Sequence, residues 1–139
     1  MAKRKSINYP GFKHENPIPN ASRIGSILMS SIISGRDPET AKMPTELADQ
    51  VSNVFKQIKL CVEAAGGSVD DIIKVNFWMK DPATGRAALN GEWAKMFPDP
   101  ESRPARHTLA LGANNPNHLT CDFTEIGRAS CRERVLMPV

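Results

Sequence analysis

Two short segments of this chain carry residue types that could hold a small organic acid and act on it. Arg103-Pro104-Ala105-Arg106-His107-Thr108 is followed by Leu119-Thr120-Cys121-Asp122-Phe123-Thr124. Both read as short strands, and Gly112-Ala113-Asn114-Asn115-Pro116-Asn117 between them is turn material. Side chains alternate faces along a strand, so Arg106, Thr108 and Ala110 share one face of the first strand and Thr120, Asp122 and Thr124 share one face of the second. A hairpin turning near Asn115 would set Arg106 opposite or diagonal to Asp122 on one side of the sheet. A guanidinium can fork onto a ligand carboxylate, and a neighbouring carboxylate can handle a proton or a water. The same two residues also read as a plain cross-strand ion pair at the surface, and both readings stay open on residue types alone.

Length and composition bound the class. The chain has 139 residues, 40% hydrophobic and 24% charged, which is ordinary for one globular domain with a core of its own. A net charge of +3 is too slight to argue for nucleic acid. The basic start Ala2-Lys3-Arg4-Lys5 has no apolar stretch behind it and so does not read as a signal peptide. No segment approaches the roughly 20 apolar residues of a spanning helix, and no membrane partner is expected. Cys61, Cys121 and Cys131 are odd in number and scattered, which predicts free thiols in a reducing, cytoplasmic setting. With His14, His107 and His118 they make no pair at metal-ligand spacing, so no metal and no cofactor is expected.

The elements that must position these residues follow from periodicity. Residues 1–22 read as a polar arm and loop with Pro10, Pro17 and Pro19, and one short strand near Lys5–Asn8. Residues 23–124 form the domain. Arg23–Ile33 is apolar and β-branched, which predicts one or two buried strands. A helix opening at Pro44 or Thr45 sets Leu47, Val51, Val54, Phe55, Ile58, Cys61, Val62 and Ala65 on one stripe and ends at Gly66-Gly67. Ile72–Met79 alternates as a strand with one face buried. Asp81-Pro82 opens a second helix, with Leu89, Trp93, Met96 and Phe97 on its packed face and Asn90 at the edge of that face. The order predicts an α+β fold: a mixed sheet with two helices on one face. Trp78 and the Ile32-Ile33 run are expected on the other face, where they leave apolar surface for an oligomer.

Taken together, Ser31 through Asp37-Pro38-Glu39-Thr40, Gln50, Glu63-Ala64-Ala65-Gly66, Asp71-Ile72-Ile73-Lys74-Val75, Leu89-Asn90-Gly91-Glu92-Trp93 and Arg103-Pro104-Ala105-Arg106 resemble the RidA (YjgF-type) family of enamine/imine deaminases over roughly residues 16 to 124. The resemblance implies a chorismate-mutase-like fold and a homotrimer with sites between subunits. It implies that Arg106 grips a substrate carboxylate, that Asn90 stands at the family's helix asparagine, and that Asp122 stands at its last-strand glutamate. It implies hydrolysis of a small 2-imino or enamino acid to a 2-keto acid plus ammonia.

Several positions depart from that family's pattern. Asn16-Pro17-Ile18-Pro19 stands where active members carry Gly-Pro-Tyr-Ser, and Ile18 cannot donate a hydrogen bond. Ser31-Ile32-Ile33 replaces Ser-Gly-Gln, so Ile32 changes the pocket wall, and Asp122 is one methylene shorter than glutamate. The expected substrate-binding set is Arg106, Thr108, Ile18 and Ile32, and the expected catalytic set is Arg106, Asp122 and Asn90. The alternative to an imine hydrolase is a non-catalytic trimer that binds a small carboxylate. A ribonuclease is the third reading, with no paired histidines or aromatic platform to support it. Residues 125–139 form a further unit: Glu125–Val135 resembles a translated sequencing-library adapter, and a non-native tail is expected there. Without Arg128, Arg132, Glu133 and Arg134 the net charge falls from +3 to +1.

Overall fold

The alternation of Ile72–Met79 builds the strand around which the rest is arranged. In the computed structural model, which describes residues 3–10, 12–112 and 114–127, Val75, Phe77 and Met79 of this strand point into the core. The strands are β1 (Lys5–Ile7), β2 (Ala21–Ile24), β3 (Ile27–Ser30), β4 (Ile33–Ser34), β5 (Ile72–Met79), β6 (Ala105–Ala110) and β7 (Leu119–Ile126). The helices are α1 (Leu47–Ala64) and α2 (Pro82–Met96). The sheet runs β1-β2-β3-β7-β5-β6, with β4 also pairing β7. Among the described residues only β5 and β6 pair in parallel; the other pairs are antiparallel. This is the α+β fold expected from the sequence, a mixed sheet with two helices.

Helix α1 starts at Leu47, after the expected Pro44 or Thr45, with Glu46 as an N-cap whose side chain makes no capping bond. Its stripe is as predicted: Val51, Val54, Phe55, Ile58, Cys61 and Val62 are buried. Each such side chain contributes on the order of 1.5–3 kcal/mol by leaving water. Gly66 takes φ 82° at the helix end, a left-handed conformation that glycine adopts without strain. Asp81 Oδ1 accepts from the Ala83 amide at 3.1 Å and Pro82 opens α2, so the second helix begins where its cap says it should.

The expected β6–β7 hairpin is not formed. Strand β5 lies between the two, pairing Val75 with Arg106 on one side and Asn76 with Asp122 on the other. The reason lies in the crossover. A strand–helix–strand unit places its second strand parallel to the first, so β5, α2 and β6 form one unit and β6 becomes the sheet edge. The chain leaves β6 and enters β7 on either side of the end of β5. Leu111 N donates to Met79 O at 2.8 Å, and Lys80 N donates to His118 O at 2.9 Å. Arg106 and Asp122 are therefore two strand spacings apart, roughly 10 Å, and on opposite faces.

Two further residues sit differently from expectation. Ile33 faces the core, 3% exposed, rather than the outer face, because its register partner is the buried Cys121. Glu125 is the inward residue of β7, fully buried against Arg23, so the strand continues past Thr124 to Ile126. The outer face still carries apolar surface: Ile24, Ile27, Met29 and Ile126 cluster at one end, and Leu109 lies beside Trp78 at the other. The adapter-like reading falls, from residue 128 on, outside the described residues.

Candidate functional site

Arg106 is held in a prepared position. Its Nη2 donates to Asn90 Oδ1 at 3.1 Å, and its guanidinium carbon lies 5.0 Å from the centre of the Trp93 ring. That ring is itself fixed, edge-on to Phe97 at 4.8 Å and to Phe77 at 6.3 Å. Leu89, Trp93 and Phe97 bury one side of α2 and its end, which turns Asn90 toward the edge strand. Arg103 Nε donates to Phe97 O at 2.8 Å and ties the start of β6 to the end of α2, so this arginine is structural.

No carboxylate among the described residues pairs with Arg106. Among the described residues its partners are a neutral amide and a ring face, and the ion pairs are Arg23–Glu125 and Lys95–Glu92. Partial burial, and then the charge of Arg86, push its pKa down from the ordinary arginine value. A guanidinium stays protonated regardless. Its positive charge is thus oriented but uncompensated, the arrangement that receives an anion. Thr108 follows two residues along β6, on the same helix-facing side, in register with Phe77.

Asp122 belongs to a second group on the outer face. Its Oδ1 accepts from Asn76 Nδ2 at 3.0 Å, directly across the β5–β7 ladder. Ile32 sits near it by register: Met29 pairs with Thr124 and Ile33 with Cys121, so one extra residue bulges out opposite Asp122 and Phe123. Ser30 Oγ accepts from the Phe123 amide at 2.9 Å and bridges the interrupted ladder. Ser31 Oγ donates to Pro19 O at 2.7 Å, and this staples the Ile18-Pro19 loop to the same bulge. Ile18 is exposed and borders a cavity of about 960 Å³ with Tyr9, Phe12, His14, Pro38 and Ala41. Neither Arg106 nor Asp122 borders that cavity.

Within the chain the expected residues thus fall into two separate groups. Arg106, Asn90 and Thr108 lie at the α2–β6 edge; Asp122 and Ile32 lie across the sheet, with Ile18 tied to them through the backbone. Sequence reasoning read Trp93 only as core and did not single out Arg86 or Asn76. The available signal was the spacing of Arg86, Asn90 and Trp93 at i, i+4 and i+7, one stripe of a helix. Cys61 and Cys121 are buried free thiols. Burial pushes Cys61 up to about 12 and Cys121 well above its ordinary value, so both are inert packing groups. Among the described residues no histidine, cysteine and carboxylate cluster could hold a metal, and no helix is long and apolar enough to cross a membrane.

Residues 13–120 match the family described as endoribonuclease L-PSP. A RutC family protein of Pyrococcus horikoshii is 35% identical over 91 residues, covering 65% of this chain and 70% of that protein. The 2-iminobutanoate/2-iminopropanoate deaminase of Escherichia coli (strain K12) is 30% identical over 89 residues, 63% of this chain and 69% of that protein. The crystal structure of RidA from an Antarctic Psychrobacter superposes with a TM-score of 0.78 at 26% identity, covering 88% of this chain and 98% of that one.

Proposed function

This chain belongs to the YjgF/RidA family, the family of endoribonuclease L-PSP, and from that premise we propose that it hydrolyses a small 2-imino or enamino acid to a 2-keto acid and ammonia. The observation that carries this reading is Arg106: a guanidinium fixed by Asn90 and Trp93 that pairs with no carboxylate among the described residues. The ligand carboxylate takes that place through two parallel hydrogen bonds, which orient the adjacent C=N carbon. Water adds to that carbon, the C–N bond then breaks, and iminium plus water becomes ketone plus ammonium. Asp122 orients the water or takes its proton. Thr108 lines the groove beside Arg106, and Ile18 and Ile32 form its apolar wall.

Because Arg106 and Asp122 lie on opposite faces of one sheet, the reading requires two copies to meet. Arg106 of one subunit and Asp122 of the next close each site, which fits a homotrimer with sites between subunits. The apolar outer face, with Ile24, Ile27, Met29 and Ile126, is the surface that such assembly buries. The reaction draws on no metal or cofactor, and a cytoplasmic location suits the free, buried Cys61 and Cys121.

A second reading, a carboxylate-binding trimer without turnover, is favoured by two features. The Ile18 side chain supplies no hydrogen bond, and Asp122 is already engaged by Asn76. Turnover separates the two. Purified protein is incubated with enzymatically generated 2-iminobutanoate, and the imine is trapped with semicarbazide. Faster loss of imine, abolished in Arg106→Ala, supports hydrolysis; tight binding of 2-oxobutanoate with no loss of imine supports the binder.

A further inference from the structure

The α2–β6 groove carries a second cation. Arg86, Asn90 and Trp93 fall on one stripe of α2, and this stripe runs beside β6, where Asn90 Oδ1 accepts from Arg106 Nη2 and the Trp93 ring faces its guanidinium. At Gly85 the helix sits so close that an added Cβ would strike Met79 Sδ. Met79 is in register with Ala110, so the turn bearing Arg86 lies level with the far end of β6. Thr108, between Ala110 and Arg106 and on their face, forms the floor. From Asn90 back to Arg86 is one helical turn, roughly 6 Å. From Arg106 to Ala110 along the strand is roughly 13 Å. The acids of the neighbouring elements are engaged elsewhere: Glu92 pairs with Lys95 at 3.5 Å, Asp81 caps α2, and Asp122 is on the other face with Asn76. Arg86 is close enough to depress the pKa of Arg106, and among the described residues no carboxylate pairs with either.

We infer that the ligand of this groove carries two acidic groups: a 2-imino dicarboxylate, or its 2-oxo product, with Arg106 on the carboxylate beside the reacting carbon and Arg86 on the distal one. This rests on the proposed reading of Arg106 as the carboxylate anchor and adds Arg86 as a specificity-determining residue. Arg86 on α2 and Arg106 on β6 are like charges that repel each other, and a dianion lying between them relieves that repulsion. A monoanion satisfies only one.

The test is calorimetric titration of the full chain with 2-oxobutanoate and with 2-oxoglutarate at low ionic strength. Wild-type protein is expected to bind 2-oxoglutarate about tenfold or more tightly than 2-oxobutanoate, as a further charge-assisted contact gives. Arg86→Gln should bring that ratio close to one by weakening 2-oxoglutarate alone, and Arg86→Lys should restore part of it. Arg106→Gln should weaken both acids. Arg86 is exposed, so its variants are expected to fold, and circular dichroism checks this. If 2-oxobutanoate binds through Arg106 and 2-oxoglutarate binds no more tightly, the second-cation inference is overturned and the anchor stands. If Arg86→Gln leaves the ratio unchanged, the inference fails in the same way. Binding of neither acid to wild type overturns both.

Discussion

Arg23 Nη2 lies 2.9 Å from Glu125 Oε1, with both side chains sealed from solvent. The two residues stand in one row across the sheet, on β2 and β7, because Arg23 and Glu125 are both register partners of Leu28 on β3. The pair lies close to Gly67, just past the end of α1, where any Cβ would meet the Glu125 carboxylate. Burial raises the Glu125 pKa; the hydrogen bond and charge of Arg23 oppose this, and nearby Asp71 adds to it. Among the described residues Arg23 Nε and Glu125 Oε2 have no hydrogen-bond partner. Desolvation therefore outweighs pairing, as it commonly does for buried ions.

Arg23→Ala should cost on the order of 3–5 kcal/mol at neutral pH, since it strands a buried carboxylate. The sign of the pH dependence follows from the raised pKa. A carboxyl whose folded pKa is raised contributes its full stability below the ordinary value of 4.5, and that contribution decays as pH rises through the raised value. Removing Arg23 takes away the opposing cause and widens that window upward. Urea denaturation at several pH values should show Arg23→Ala recovering part of its loss on acidification toward pH 5. A deficit independent of pH would count against this account.

Arg106→Lys keeps the charge but loses the planar fork and the stacking on Trp93, and the two cations are not interchangeable at such a site. Both Arg106→Lys and Arg106→Ala should lose carboxylate binding by about tenfold or more while the melting temperature stays within a few degrees. Titration with 2-oxobutanoate beside a thermal melt checks both halves. Unchanged affinity in Arg106→Ala would make the guanidinium a structural group only.

Assembly should depend on the outer face of the sheet. A double substitution Ile27→Lys with Met29→Lys puts charge into its apolar patch without touching the core, since both side chains are half exposed or more, at 50% and 58%. Multi-angle light scattering is expected to give a trimer mass for the unaltered chain and a smaller one for the variant. A monomer at micromolar concentration for the unaltered chain would remove the basis for sites between subunits.

Gly35→Ala should destabilise by about 1–3 kcal/mol, an overpacking effect. An added Cβ would lie 2.6 Å from Gln50 Cβ and 2.8 Å from Gln50 Cα, and the second of these is backbone that cannot turn aside. Gln50 is a tie between α1 and the start of β7: its Nε2 donates to Pro44 O at 2.7 Å and its Oε1 accepts from His118 N at 2.9 Å. A shift of α1 at this point should also lower the protection of the His118 amide in hydrogen exchange. An unchanged melting temperature would show that the helix can retreat at little cost.

The sequence by itself determined what is local. The 3.6-residue stripe of α1, the Asp81-Pro82 start of α2 and the alternation of Ile72–Met79 each express a periodicity contained in one segment, and each appears in the fold. Alternation also told which residues of β6 and β7 share a face. It could not tell which strand lies beside which, because pairing partners are distant in the chain and every strand edge offers the same backbone groups. Only the tertiary structure placed β5 between β6 and β7, and so set Arg106 and Asp122 on opposite faces. The same limit applied to Glu125, whose inward position reads as a break in an apolar pattern until Arg23, brought across β3, supplies the opposite charge. Side-chain type and spacing decide which face a residue occupies; the chain's crossover, a property of strand, helix and strand together, decides what it faces.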